Sequence, residues 1–244
     1  MAHTPSESFT LTGGCFCKAI RYKITAPARG DRPGLSGVAD TRVPPLPGKP
    51  ISPLVKQSDQ PRIPTKLPVI DFDHCADCRH ASGSVAQCWF ICPPEWVEWT
   101  LRCRQGFGKD EEGGTEVRLT TLEACVSSTV EASTTESTIP ATTYMAHYKS
   151  SSRVTRTFCV QCGTNLTYHY ARDPSSSSSS LPQFPALIDI TTGSLDDGSL
   201  VRVHIDRQTW WDSGVGWVKR IMRWGDGDLM KHPKGITTQE IVFE

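Results

Sequence analysis

Three pairs of cysteines, each spaced so that both thiols can reach one metal ion, are the part of this 244-residue chain best suited to chemistry. The pairs are Cys15 with Cys17, Cys75 with Cys78, and Cys159 with Cys162. Zinc binds thiolates at about 2.3 Å in tetrahedral sites, and neighbouring cysteines at this spacing can enter the same coordination sphere. The cysteine pattern therefore predicts zinc binding.

The first and last pairs are predicted to share one structural zinc. Its four ligands would be Cys15, Cys17, Cys159 and Cys162. Glycines beside both pairs let the backbone turn so that N–H groups point at the sulfurs. Such a site stabilises the fold directly, because metal binding is coupled to folding. The alternative is that all four are ordinary buried cysteines, since free cysteine is among the most buried residue types.

The middle pair has a different set of neighbours. Asp73 is spaced to supply a third ligand beside Cys75 and Cys78. A zinc ion with three protein ligands keeps a position open for a substrate, which is typical of catalytic sites. Two alternatives stay open. The pair could be a thioredoxin-type redox motif, although the βαβ pattern expected around that motif is not evident, or it could compete with the other pairs for one set of four positions.

Composition argues against several other classes of function. The 26 basic and 26 acidic residues cancel, so we expect neither nucleic acid nor a membrane as a partner. No apolar run approaches the ~20 residues that span a bilayer, and the first residues lack the basic and apolar regions of a secretory signal. We therefore expect a cytoplasmic protein, in which paired cysteines bind metal rather than form disulfides.

The elements that must position these residues are mainly strands. Alternating and β-branched segments predict strands on both sides of a turn at 13–15, at 69–72, on both sides of Pro93 and Pro94, at 165–170, at 185–190 and at 200–205. A short helical turn is expected within 79–84. Segments rich in Pro, Ser and Thr predict insertions at about 28–66, 104–143 and 171–182. The predicted class is mainly β with few short helices.

These motifs resemble the glutathione-dependent formaldehyde-activating enzyme family, which also contains centromere protein V. Its pattern is G-G-C-x-C-G-x-x-R-Y, then C-H-C-x-x-C-R-x-x-x-G-S, then R-x-F-C-x-x-C-G-T-x-L. The matching segments here are 13–22 (GGCFCKAIRY), 73–84 (DHCADCRHASGS) and 156–166 (RTFCVQCGTNL). The resemblance covers one domain at 9–211 and leaves 212–244 as a C-terminal extension.

The resemblance implies a zinc-stapled fold of the β-tent kind and a carbon–sulfur lyase that joins glutathione to formaldehyde or reverses that reaction. It implies a structural zinc on the outer cysteines and a catalytic zinc in the middle. Two residues depart from the pattern: Asp73 stands where the family has cysteine, and Lys18 where it has glycine. A carboxylate ligand would make the middle zinc harder and more Lewis acidic.

Three residues beside the middle cysteines are candidate catalytic groups. His74 and His80 could act as general acid or base, and Arg79 could pair with an anionic substrate; the alternatives are solvent-facing histidines and a structural ion pair. Three functions stay open: a lyase of the kind described, a zinc enzyme of the same fold acting on another small molecule, and a non-catalytic, zinc-stabilised binding module.

Overall fold

The computed structural model describes residues 4–34, 66–104, 115–126, 142–171 and 187–224. Strands dominate this part of the chain and its helices are few and short, so the predicted mainly β class is confirmed. None of the described helices has the length and apolar character needed to cross a membrane.

The described residues contain eleven strands and several short helices. The strands are β1 (Phe9–Gly14), β2 (Ile20–Ala26), β3 (Val69–Asp73), β4 (Gln87–Cys92), β5 (Val97–Arg102), β6 (Glu116–Thr120), β7 (Met145–Ser151), β8 (Val154–Cys159), β9 (Asn165–Tyr170), β10 (Ile188–Thr191) and β11 (Arg207–Thr209). The helices are α1 (Ala76–Ser82), α2 (Asp197–Leu200), α3 (Gly216–Trp224), a π-helical turn at Leu122–Val126, and 3₁₀ turns at Arg29–Asp31, Pro94–Trp96, Thr192–Ser194 and Trp211–Ser213.

The strands form two sheets. The smaller has the order β1-β2-β5-β6, and the larger has the order β11-β3-β4-β10-β9-β8-β7. Neighbouring strands are antiparallel except β11, which pairs parallel with β3. Apolar side chains of both sheets join one hydrophobic cluster, including Leu11 and Trp99 from the smaller sheet and Phe90 and Ile190 from the larger. The core therefore lies between the sheets.

Two prolines carry the chain from one sheet to the other. Pro93 and Pro94 follow β4 in the large sheet and precede β5 in the small sheet. Proline cannot donate a hydrogen bond to a strand ladder, so the strand must end there. The predicted break between two strands is confirmed, and it places Trp96 and Trp99 in the buried core.

The predicted strand at 200–205 is wrong. The N–H groups of Ser199 and Leu200 donate to the carbonyl of Asp196 and close a helical turn, so Leu200 belongs to α2 and does not begin a strand. The segment after it stays outside both sheets, and Val201 is 74% exposed. β11 begins only at Arg207. The local helical turn outweighs the alternation of apolar residues that suggested a strand.

Helix α1 begins earlier than expected and ends where expected. It starts at Ala76, before the helical turn predicted for 79–84, and it stops at Gly83, whose φ of +65° favours glycine. The longer helix places Cys78, Arg79 and His80 on regular backbone. Most of the predicted insertions at 28–66, 104–143 and 171–182 lie outside the described residues, and the domain limits stay predictions.

Candidate metal centres and the adjoining cavity

The first and last cysteine pairs come together as the outer group, Cys15, Cys17, Cys159 and Cys162, whose sulfur atoms all lie within 4.8 Å of one another. The sulfur of Cys17 is 3.5 Å from that of Cys15 and 3.6 Å from that of Cys159. Four thiolates bound tetrahedrally at about 2.3 Å would lie about 3.8 Å apart. The outer group could hold a metal ion, and its geometry is compatible with structural zinc.

The two turns that carry the outer group are built alike. In the first turn the N–H of Lys18 donates to the carbonyl of Cys15, and in the second the N–H of Gly163 donates to the carbonyl of Cys159. Both residues that donate are left-handed, with φ of +63° at Lys18 and +74° at Gly163. A residue with a side chain pays about 1 kcal/mol for this conformation. Lys18 therefore keeps the backbone shape that glycine would adopt more easily.

Hydrogen bonds in these turns favour charged sulfur, as metal binding requires. The N–H of Ile20 donates to the sulfur of Cys15 at 3.3 Å, although burial still raises the pKa of Cys15. Burial also raises the pKa of Cys162, but hydrogen bonds from Thr164, followed by those from Cys17, outweigh it and bring the pKa to about 6. The Thr164 hydroxyl oxygen lies 3.2 Å from the Cys162 sulfur.

The outer group links the two sheets. Cys15 follows β1 of the small sheet, and Cys159 ends β8 of the large one. The N–H of Phe16 reinforces the link by donating to the hydroxyl of Thr164 at 3.1 Å. A metal ion bound here would join turns that are 142 residues apart from Cys17 to Cys159. It would therefore stabilise the fold as a whole.

The second cluster is the middle group, Asp73, Cys75 and Cys78, whose ligand atoms also lie within 4.8 Å of one another. Asp73 ends β3, Cys75 immediately precedes α1, and Cys78 lies in the first turn of that helix. The early start of α1 turns Cys78 back toward Cys75. The middle group could also hold a metal ion, with three protein ligands instead of four.

Asp73 is held in a fixed orientation. Its Oδ1 accepts a hydrogen bond from the N–H of Cys75 at 2.8 Å, and its Oδ2 accepts one from the Trp89 indole N–H at 3.1 Å. Each carboxylate oxygen has further lone pairs for a metal. Hydrogen bonds to a ligating carboxylate orient it and tune the metal. The spacing that suggested Asp73 as a ligand therefore agrees with its position.

A cavity of about 400 Å³ lies beside the middle group. Its lining residues are Asp71, Asp73, Cys75, Ala76, Asp77, Cys78, Trp89, Ser150, Ser151, Val154, Arg156, Tyr168, Asp189, Trp210 and Ser213. In the large sheet Asp71 lies opposite Trp89. Tyr168 lies opposite both Asp189 and Arg156. Residues that lie opposite each other on paired strands are on the same face of a sheet, so these side chains share one face. The volume falls within the ~300–1,000 Å³ typical of small-molecule sites.

Arg156 is a buried cation in the cavity wall, with only 1% of its surface exposed. Its Nε donates to Ser150 Oγ at 3.0 Å, and its Nη2 donates to the sulfur of Cys78 at 3.4 Å. The guanidinium carbon lies 4.8 Å from the centre of the Tyr168 ring. Burial raises the pKa of Cys78 to about 12, and the hydrogen bond from Arg156 acts in the opposite direction.

Asp189 contributes a carboxyl group to the same cavity. Burial, followed by the negative charges of Asp71 and Asp73, raises its pKa to about 8 and outweighs the opposing effect of Arg156. Burial likewise raises the pKa of Asp71 to about 6, although Asp71 accepts a 2.6 Å hydrogen bond from the Thr209 hydroxyl. The raised pKa favours the protonated carboxyl of Asp189, which could exchange a proton with a bound molecule.

The predicted catalytic histidines lie away from the cavity lining. His74 is fully buried, with Nε2 2.9 Å from Gln208 Oε1 and its ring edge-on to Phe72 and Trp211. His80 is exposed on α1. The packing around His74 supports the end of β3 from the side opposite the middle group. A chemical role for either histidine stays a prediction.

Arg79, the third predicted catalytic residue, is half-buried on α1. Within the described ranges its guanidinium makes no ion pair, and its buried Nε has no hydrogen-bond partner. Neither a structural ion pair nor a place in the cavity lining is found for it there. Its proposed contact with an anionic substrate also stays a prediction.

The remaining four cysteines lie outside both groups. They are Cys88, Cys92, Cys103 and Cys125. Burial strongly raises the pKa of Cys92 and Cys125, so both are neutral thiols in the core. Trp89 belongs both to the core and to the site, because it is 2% exposed and also lines the cavity.

Sequence reasoning missed several polar residues of the cavity, among them Arg156, Tyr168 and Asp189. A signal was available for Asp189, which lies between the buried residues Ile188 and Ile190 of β10. Ionisable residues are rarely placed in a buried strand without a partner or a function. Arg156 gave a similar signal in β8, and strand register then brings it beside Tyr168.

Comparisons with known proteins leave the family open. No protein-family model matches the chain, and no curated protein matches it. The three motif segments and the geometry of the two groups therefore carry the functional argument.

Proposed function

We propose that this protein is a zinc-dependent, cytoplasmic enzyme of the carbon–sulfur lyase type, which adds a thiol such as glutathione to a small carbonyl compound or reverses that addition. The supporting observation is that Asp73, Cys75 and Cys78 converge at the wall of a 400 Å³ cavity. Three protein ligands leave the fourth position of a tetrahedral zinc to a substrate or water. The resemblance of three motif segments points to the same reaction class.

The donor set of the middle group fits zinc. Zinc accepts thiolate and carboxylate ligands together, and Asp73 is already oriented by the Cys75 N–H and the Trp89 indole. A zinc ion bound there would supply Lewis acidity and lower the pKa of a thiol in the open position. The outer group has four cysteines and no open position, so its proposed zinc is structural.

The protein residues would manage the proton. When the carbon–sulfur bond forms, the carbonyl π electrons move to oxygen, and that oxygen takes a proton. The Asp189 carboxyl can give this proton and recover one from the thiol S–H, so that no proton is consumed overall. The reverse reaction uses the same groups in the opposite order. Trp89 and Tyr168 add aromatic surface to the cavity wall.

A second candidate is a zinc enzyme of the same fold that acts on another carbonyl or enol compound without glutathione. Asp73 favours this second candidate. A carboxylate ligand in place of a thiolate makes the metal harder, and a harder metal binds an oxygen ligand better. The non-catalytic binding module has no such support from the middle group.

The test combines metal content, binding and turnover. We expect two zinc ions per chain, a higher melting temperature with glutathione, and faster exchange between formaldehyde and its glutathione adduct in NMR exchange spectra. Glutathione binding without catalysed exchange of any small carbonyl compound would favour the binding module. Turnover of a carbonyl substrate in the absence of thiol would favour the second candidate, and a single zinc per chain would contradict all enzymatic readings.

A further inference from the structure

Arg156 is a buried cation that lacks an anionic partner among the described residues. It is 1% exposed, and no carboxylate among the described residues lies within 4.0 Å of its nitrogens. Removing a cation from water costs several kcal/mol unless an anion and hydrogen bonds replace the solvent. Its Nη1 has no hydrogen-bond partner in the described part of the chain. The hydroxyl of Ser150 and the face of Tyr168 are its neutral neighbours.

The third neighbour of the Arg156 guanidinium is the thiol of Cys78, which can become an anion. Nη2 of Arg156 lies 3.4 Å from the sulfur of Cys78. A metal ion binds cysteine as the thiolate, so loading the middle group converts this sulfur from a neutral acceptor to a charged one. Hydrogen bonds between a charged donor and a charged acceptor are roughly twice as strong as those between neutral groups. The guanidinium would then have the partner that its burial requires.

The charges of the loaded group also require a nearby cation. A divalent metal with two thiolates and one carboxylate carries one net negative charge, and Asp71 adds negative charge to the same cavity. The guanidinium of Arg156 is the cation that contacts a ligand of the group. Its position on β8, across the cavity from β3, is set by the register of the large sheet.

We infer that Arg156 is a positioning residue of the middle group, which donates a hydrogen bond to the Cys78 thiolate and thereby raises metal affinity and lowers electron donation by that sulfur. This inference rests on the metal site of the proposed function. Residues that contact metal ligands typically change affinity by about 10–100-fold. Arg156 also keeps Cys78 from competing with a substrate thiol as a nucleophile, because a hydrogen-bonded thiolate is less reactive.

Cobalt(II) in place of zinc provides a readout that does not depend on turnover. Full-length wild type, Arg156→Gln and Arg156→Lys would be titrated with Co²⁺ against a chelator, with the thiolate-to-cobalt charge-transfer bands recorded. Arg153→Gln is the matched control, since Arg153 is exposed on the same hairpin and donates to the Tyr170 hydroxyl. Metal held by the outer group reports on folding in every variant.

For Arg156→Gln we expect a loss of about 10–100-fold in affinity at one of two sites and a shift of its charge-transfer band to longer wavelength. Arg156→Lys should lose less affinity, because it keeps the charge but not the two-armed geometry. If Arg156→Gln does not fold, the Lys variant decides by the same two measurements. If the folded variants keep the wild-type cobalt affinity and band position, the inference about Arg156 is overturned. Two cobalt sites in the wild-type protein would still support the proposed function in that case. Only one site in wild type overturns both.

Discussion

The outer and middle groups each contain a C-x-x-C pair, but they differ in the other ligands that join it. The outer group has four sulfurs from two similar turns and joins the two sheets. The middle group has two sulfurs and one carboxylate from adjacent parts of the chain, and it faces a cavity. A tetrahedral metal site with four protein ligands has no position left for a substrate, whereas a site with three protein ligands keeps one position open. Ligand number and position, more than the motif, separate a fold-stabilising site from a reactive one.

The largest effect should follow from breaking the outer group. Cys162→Ser removes one of the four proposed ligands of the structural zinc, and such a zinc contributes energy comparable to the whole ~5–15 kcal/mol stability of a domain. We expect no cooperative thermal transition and poor solubility. Cys103→Ser is the control, because Cys103 lies outside both groups. An unchanged melting temperature and zinc content in Cys162→Ser would refute the structural site.

Breaking the middle group should remove function but not the fold. In Cys75→Ala we expect a melting temperature within a few degrees of wild type, one zinc fewer per chain, and no thiol addition to formaldehyde. The reason is that all three ligands come from one short segment, so no distant parts of the chain are held by them. Metal analysis, calorimetry and NMR check the three outcomes. Global unfolding of Cys75→Ala would remove the distinction between the groups.

Changing Asp73 should sharpen the contrast in ligand type. A third thiolate should hold zinc more tightly, so we expect Asp73→Cys to resist a chelator better than wild type and Asp73→Ala to lose this zinc about 10–100-fold more readily. Asp77→Ala is the control, because Asp77 also lines the cavity but is not in the middle group. Equal chelator resistance in wild type and Asp73→Ala would exclude Asp73 from the coordination sphere.

The last prediction concerns the carboxyl of Asp189 and affects stability, with no change in metal binding. The pKa of this carboxyl is raised to about 8 in the folded protein, above the usual aspartate value of 3.8. The folded state therefore binds more protons than the unfolded state between about pH 4 and pH 8, and stability from this group falls as the pH rises through that window. Asp189→Asn has no carboxyl to titrate, so its stability does not fall in this way. The free energy of unfolding of Asp189→Asn, relative to that of the protein with Asp189, should therefore increase across the window by an amount on the order of a few kcal/mol.

This comparison is best made in the Cys75→Ala background, where a metal in the middle group cannot change the titration. Urea unfolding at pH 4.5 and pH 8 would give the two free-energy differences, with Asp197→Asn as the control at an exposed position. A difference that does not change with pH would place the Asp189 carboxyl in a more polar setting than its contacts suggest.

The two groups could be predicted from the sequence because their ligands come as local pairs. Spacing alone put Asp73 with Cys75 and Cys78, and similar glycine-rich turns suggested that the outer pairs belong together. The strands that carry them also follow from local alternation. The failed strand at 200–205 was decided by hydrogen bonds to the Asp196 carbonyl, a local competitor that hydrophobic alternation does not reveal.

The rest of the cavity could not be predicted, because it depends on register between strands far apart in sequence. Arg156, Tyr168 and Asp189 share a face only after β8, β9 and β10 are aligned. Proximity in sequence also did not show which way the His74 side chain faces. Along an extended chain, successive side chains point to opposite sides, so His74 packs on Trp211 while Asp73 faces the cavity.

The parallel pairing of β11 with β3 has a consequence for synthesis on the ribosome. The N–H of His74 donates to the carbonyl of Thr209, and Gln208 and Trp211 complete the surroundings of the His74 ring. These partners are translated long after β3. Contacts of such sequence separation form slowly because a long loop must close first. A nascent chain would thus leave the His74 side of β3 without its partners until residues 207–211 have been synthesised.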